Sequence, residues 1–263
     1  SFSLIPLLGI PYFFEMHGVK RNTLAHRFFL RNVSGIITIR EKIKEETANT
    51  FSLPRERILI SPNGVAPEFL EVKSREAARK RLNLPQNQST ALYIGKFYGW
   101  KGLDILPQAL ILVPSITLFL VGGTKKELVT LIKTELPKNI ICMGERPHQE
   151  IPTWLAAADM TLLLGTKRSA YSYHETSPMK LFEYMAARRP LIASRTPANS
   201  ETLTDAEGFF YEPDNAADLA EKMKAVEKGT YDMQRIENAF RKAEEHTWDR
   251  RAARIMTFIK THI

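Results

Sequence analysis

The feature that most constrains this chain is the alternation of short, continuously apolar runs with charged amphipathic segments. LYIG at 92–95, ITLFLVGG at 116–123 and MTLLLG at 160–165 are each the length of a strand. A strand with one wet face alternates apolar and polar residues. A strand that is apolar at consecutive positions is covered on both faces, as in a parallel sheet flanked by helices. SREAARKRLNL at 74–84 and KKELVTLIKTEL at 125–136 have the composition of such helices. The expectation is an α/β fold with parallel sheets. No apolar run approaches the roughly 18 residues of a membrane span.

The alternation comes in two series with a break near Asn63 to Pro67. The first series has strands expected at 10–18, 35–40 and 58–64, and helices at 22–32 and 41–51. The second has strands expected at 90–97, 115–123, 139–145, 160–166 and 190–194, and a last one at 208–213. Helices are expected at 74–84, 103–113, 125–136, 151–158, 178–188 and around 198–203, and then over 214–229, 234–246 and 248–263. Pro107 fits its helix only near the first turn. No repeat of solenoid period and no low-complexity tract is present.

In an open α/β sheet, ligands sit beyond the carboxyl ends of the strands. The loops after strands are therefore the informative ones. GKFYGWKG at 95–102 combines glycines, which allow close backbone approach, with Lys96 and Lys101. GERPHQE at 144–150 carries Arg146. GTKRSAYSYHETSP at 165–178 is long, polar and aromatic, and loops of that length are often functional. The net charge of +8 suits an anionic ligand or an anionic membrane surface. Nucleic-acid binding is not indicated, since no zinc-finger spacing, aromatic RNA-binding signature or basic arm occurs.

The densest chemistry lies in ETSPMKLFEYMAARR at 175–189. Ser177-Pro178 reads as a helix start, with Ser capping and Pro at the first helical position. Lys180 then falls in the first turn and Glu183 about a turn later, while Glu175 precedes the cap. Free N–H groups and an ammonium suit a diphosphate, and carboxylates suit sugar hydroxyls. The other reading is an ordinary capped helix with surface Glu and Lys.

The two glutamates eight apart, with SPMKLFEYMA between and around them, resemble the E-x7-E signature of retaining family 4 (group 1) glycosyltransferases of GT-B fold. GKFYGWKG resembles the family's GRL…KG segment, with Lys96 where Arg is usual. Lys keeps the charge and loses the bidentate fork. ISPNGVAPEF at 60–69 resembles its interdomain stretch, with Ala66 in place of the usual Asp. EMHG at 15–18 resembles the segment that places a His at the cleft between the domains. WDRRAARIMTFI resembles the last helix, which crosses back to the first domain.

The resemblance implies a GT-B architecture: residues 66–246 a Rossmann-like domain that binds the nucleotide-sugar, residues 1–65 the C-terminal portion of an acceptor-side Rossmann-like domain, and 247–263 the returning helix. It implies transfer of a sugar from a UDP- or GDP-linked donor to an acceptor hydroxyl, with retention. Glu175 and His17 would then act at the sugar. Gly95, Lys96, Lys101, Arg146, Pro178, Met179, Lys180 and Glu183 would hold the donor, and the acceptor would be a glycan or a lipid-linked molecule. No cofactor is implied and no metal site is expected: the seven Asp contain no D-x-D pair, and no HExxH motif or Cys/His cluster exists. The family's usual Gly-rich N-terminal loop has no counterpart, so a shortened first domain is expected. A competing reading is a nucleotide-sugar-binding or scaffold module without transfer activity.

Cys142 is the sole cysteine. No intrachain disulfide can form, and a cytoplasmic location fits. VKRNTLAHRFFLRN at 19–32 sets Lys20, Arg21, Arg27 and Arg31 among Phe28, Phe29 and Leu30. That mixture suits peripheral contact with anionic lipid, and equally suits phenylalanines packed in a core beneath a solvated basic side.

Overall fold

A computed structural model describes residues 2–71, 73–176 and 179–263. The chain forms two compact units, Ser1–Gly64 with His246–Ile263, and Val65–Glu245.

In the first unit, β1 (Phe13–Met16), β2 (Gly35–Thr38) and β3 (Ile58–Ile60) make a parallel sheet in that order. The crossovers are α1 (Leu24–Asn32) and α2 (Glu41–Phe51). Thr23 caps α1 by accepting from the His26 amide. Phe29 and Leu30 of α1 are buried with Met16, Ile36, Ile43 and Phe51, while Phe28 is half exposed. Phe29 and Leu30 are therefore core residues of this unit, and Phe28 alone of the three leaves an apolar side chain outside.

The last helix, α11 (Trp248–Lys260), belongs to this unit although the second unit separates it in sequence. A Cβ on Gly64 would lie 2.7 Å from the Trp248 amide nitrogen, and one on Gly35 would lie 2.5 Å from the Phe258 ring. Two glycines thus set how closely the helix approaches. Arg251 then fastens it, donating from Nε to the carbonyls of Ser61 and Pro62 and from Nη2 to Glu15 Oε1 at 2.8 Å.

The second unit is a six-stranded sheet in the order β6-β5-β4-β7-β8-β9, parallel throughout. Its strands are β4 (Ser89–Ile94), β5 (Ile116–Val121), β6 (Ile140–Gly144), β7 (Met160–Leu163), β8 (Leu191–Ser194) and β9 (Phe209–Tyr211). This is the doubly wound order in which the winding reverses between the first and fourth strands, here β4 and β7. Alternate residues of β4 and β5 enter two different cores. Leu92, Ile94, Phe119 and Val121 pack with α6 (Ile151–Ala157), α7 (Met179–Ala186) and α10 (Gln234–Glu245). Ala91, Tyr93, Leu118 and Leu120 pack with α4 (Leu106–Ile111), α5 (Lys125–Ile132) and α9 (Ala216–Glu227). Both faces are covered, as the continuous apolar runs require.

The remaining helices of the unit are α3 (Arg75–Arg81) and the single turn α8 (Pro197–Ser200). Pro107 occupies the first turn of α4. α5 is shorter than its sequence pattern: Lys133 enters the left-handed region at φ 54° and ends it. In the loop after β7, Tyr171–Glu175 forms one turn of π-helix.

In the charged run SREAARKR, Arg79 is fully buried. It donates to the carbonyls of Ala157, Pro85, Gln86 and Gln88, to Thr90 Oγ1, and to Asp159 Oδ2 at 2.8 Å. Asp159 also accepts from Arg75 Nε at 2.7 Å and from the Thr90 amide at 2.8 Å. Burial lowers the Arg79 pKa and Asp159 counters the shift, so the guanidinium is held as a paired structural cation.

Candidate functional site

The site is built where the sheet order reverses. Beyond the carboxyl end of β4 the chain turns at Gly95, and beyond β5 at Gly122, whose φ is +126°. A Cβ on Gly122 would lie 2.5 Å from the Gly95 carbonyl oxygen. No side chain fits between these two turns, and the backbones touch.

α7 is pinned across the same end. The Tyr184 hydroxyl, fully buried, accepts from the Ile94 amide at 2.7 Å and donates to the Ile94 carbonyl at 3.3 Å. This places the start of α7 beside the β4 and β7 termini. A cavity of about 280 Å³ lies there, with Trp100, Lys101, Tyr171, Met179, Lys180 and Asn199 among its lining. A larger cavity of about 550 Å³ opens at the opposite ends of the strands, beside Asp159. There the carboxylate is already saturated by Arg75, Arg79 and Thr90. The smaller cavity sits at the switch point and holds the less satisfied groups, so it is the stronger candidate.

Lys101 lies over the rings of Tyr98 and Trp100, at 5.3 and 5.4 Å from their centroids. Burial, and then the charge of Lys180, push its pKa down to about 8. Two cations from different elements thus face one space, and neither neutralises the other. Lys180 Nζ is 2.8 Å from Glu183 Oε2, one turn along α7. The other oxygen, Oε1, lies 3.3 Å from His148 Nε2, and the His148 ring packs at 5.2 Å on Phe69. Glu183 is buried, with one oxygen facing the Lys180 amine and the other the His148 ring.

Lys101, Met179 and Lys180 line the cavity together, and Glu183 is joined to it through Lys180. Gly95 lies against Lys101 Nζ. Glu175, the last residue of the π-turn, is exposed and directly precedes Thr176, which lines the cavity. Lys96 is exposed and faces Glu145 at 3.4 Å. Arg146 is exposed in the loop after β6. His17 belongs to the first unit, where its Nε2 is 2.8 Å from Glu15 Oε1. Pro178, with the Ser177 cap, lies outside the described residues.

In the 165–178 loop, Lys167 pairs with Glu212, and Arg168 with Asp104 and Asp214. Their charges are engaged at the surface, whereas Tyr171 packs edge-on to Trp100 over the cavity. Sequence reasoning missed His148. Nothing in GERPHQE singles out that His, because its partner Glu183 is 35 residues away.

Comparison with known proteins follows the same lines. The sequence model of the family described as Glycosyl transferases group 1 matches residues 74–243. TuaC of Bacillus subtilis (strain 168), a protein named for teichuronic acid biosynthesis, is 26% identical over 231 residues, covering 83% of this chain and 55% of TuaC. D-inositol 3-phosphate glycosyltransferase 1 of Catenulispora acidiphila is 25% identical over 256 residues, covering 83% and 58%. The chain thus spans just over half the length of these curated relatives. Among solved structures, HepE of Anabaena in complex with UDP superposes with a TM-score of 0.78 at 17% identity, covering 99% of this chain and 76% of that one. The fold is of the GT-B type. With its family's sequence model matched from α3 through α10, the chain belongs to the glycosyl transferases group 1 family.

Proposed function

We propose that this chain is the donor-binding part of a glycosyltransferase that moves a sugar from a nucleoside-diphosphate sugar to an acceptor hydroxyl. The observation that carries this reading is the pairing of Lys101 and Lys180 across a cavity at the switch point, beside the buried Glu183. Two apposed cations suit a diphosphate, and stabilise it further as it leaves with developing charge. Glu183 keeps lone pairs beyond those facing Lys180 and His148, and accepts from the ribose hydroxyls. Glu175, exposed at the rim, accepts from hydroxyls of the transferred sugar. Each such charged hydrogen bond contributes about 1.5–3 kcal/mol.

HepE was crystallised with UDP, and also with UDP-glucose, which supports a nucleoside-diphosphate ligand for this fold. In this reading residues 66–246 hold the donor, residues 1–65 and 247–263 belong to the acceptor side, and a UDP- or GDP-linked sugar binds without a metal. Retention of configuration, and a role for His17 in orienting the reacting groups, rest on the motif resemblance.

Calorimetric titration with UDP, GDP and ADP, without added metal, tests the assignment. One nucleotide binds, and Glu183→Ala and Lys180→Ala each weaken it about tenfold or more. Parent-like affinity in both variants would show that the site lies elsewhere.

A further inference from the structure

Tyr93 is the penultimate residue of β4 and is 4% exposed. Its hydroxyl is buried and finds no hydrogen-bond partner among the described residues. The obvious partners are taken: Tyr184 bonds to both the amide and the carbonyl of Ile94. The ring of Tyr93 packs among Ala91, Leu118 and Leu120, where a Phe would pack as well without stranding a polar atom. A buried unpaired hydroxyl costs about 1–3 kcal/mol, and such a group in a native fold calls for a reason.

The position of Gly95 supplies one. The point where a Cβ of Gly95 would sit is 2.9 Å from Lys101 Nζ and 3.2 Å from the Tyr93 hydroxyl oxygen. Two donors from separate positions thus close in on the same side of Gly95, an approach that any side chain there would obstruct, and both residues line the adjoining cavity. Burial raises the phenol's pKa, so it stays protonated and able to donate.

We propose that the Tyr93 hydroxyl and the Lys101 ammonium form a two-donor seat above Gly95 that takes one anionic oxygen of a phosphoryl group. The inference deepens the reading of the cavity as a nucleoside-diphosphate site and rests on it. Tyr93 is a ligand-binding group whose bond is completed only by the ligand. Lys101 gives the oxygen its counter-charge, and Tyr93 gives it direction. The hydroxyl therefore strains the empty protein slightly and strengthens the loaded one, the reverse of a structural hydrogen bond.

Tyr93→Phe tests this through two readouts on the whole chain: thermal unfolding without ligand, and calorimetry with UDP, GDP and inorganic pyrophosphate. The expected result is anion affinity lower by about tenfold or more, with a ligand-free Tm equal to or above that of the parent. Affinity within twofold of the parent overturns the proposal. So does a Tm several degrees lower, which would mean that the hydroxyl has a structural partner. The two readings separate cleanly. If the parent binds nucleotide and Tyr93→Phe binds equally well, only the two-donor seat fails. If the parent binds pyrophosphate through Tyr93 but no nucleotide, only the nucleotide assignment fails. If the parent binds none of the three, both fail.

Discussion

The two ends of the second unit's sheet treat charge in opposite ways. At the amino ends of β4 and β7, Arg79 is fully buried, and every nitrogen of its guanidinium has at least one acceptor. Its counter-ion, Asp159, is likewise saturated. At the carboxyl ends of the same strands, Lys101 has two aromatic rings and another cation for neighbours, and the Tyr93 hydroxyl has no partner among the described residues. A complete network of this kind locks one arrangement of the chain. An incomplete one is costly to the empty protein and is repaid only by a ligand. The contrast separates polar groups that hold the fold from polar groups that serve a site, a distinction that residue type alone does not make.

The largest effect should come from breaking the complete end. Arg79→Ala takes from Asp159 its buried counter-ion, leaving it Arg75 and Thr90, strands several carbonyls in the interior and leaves a cavity where the guanidinium lay. Removing one partner of a buried pair typically costs about 3–5 kcal/mol. Urea unfolding should show a loss of that size, while nucleotide affinity in the protein that remains folded stays near the parent's. Stability within about 1 kcal/mol of the parent would mean that the network is ornamental, and the contrast between the two ends would fail.

That network also marks where the sequence stopped being legible. Strands were readable because burial on both faces leaves continuous apolar runs: among the described residues eight of the nine lie within the ranges expected, and β4 starts one residue earlier, at Ser89. Pairing was not: β4 lies between β5 and β7, and no local signal says so. Nothing in SREAARKR sets Arg79 apart from its charged neighbours, because its partners are three carbonyls nearby in sequence, a fourth from Ala157, Thr90 Oγ1, and an Asp 80 residues away. The E-x7-E segment pointed to Lys180 and Glu183 through local spacing, and one turn of α7 joins them. Tyr93 and His148 carried no such spacing. Their significance depends on Gly95 letting Lys101 and the Tyr93 hydroxyl come close and on Glu183 arriving from another helix.

A change of pH sharpens the comparison at the incomplete end. Lys101 is held near 8, below an unfolded lysine at about 10.4. Between those values the unfolded chain binds more protons than the folded one, so stability contributed at this position rises with pH across about 8 to 10.4. Anion binding has the opposite sign, because it needs the ammonium. Affinity for a nucleoside diphosphate should fall as pH rises through about 8, and binding near pH 8 should take up a fraction of a proton. Calorimetry in buffers of different ionisation enthalpy measures that uptake. Lys101→Met should abolish it and lower affinity, whereas proton uptake that persists in the variant would assign it to another group.

The smallest effect distinguishes the two lysines of the glycine-rich loop. Lys96 and Lys101 lie five residues apart on GKFYGWKG and look equivalent in sequence, yet their surroundings differ. Lys96 is about two-thirds exposed, and so is Glu145, which it faces at 3.4 Å. Water and salt screen such a pair, which is worth at most about 1 kcal/mol. Lys101 is packed against aromatic rings and feels the charge of Lys180, and among the described residues no carboxylate pairs with it. Lys96→Ala should therefore change nucleotide affinity by less than about fivefold and leave Tm nearly unaltered, and whatever loss it shows should fade between 50 and 500 mM salt within the screening behaviour of an exposed charge, about 10 Å at 0.1 M. A salt-insensitive loss as large as that of Lys101→Met would place Lys96 in direct contact with the diphosphate. The loop would then close on its ligand, bringing an exposed cation into the desolvated group.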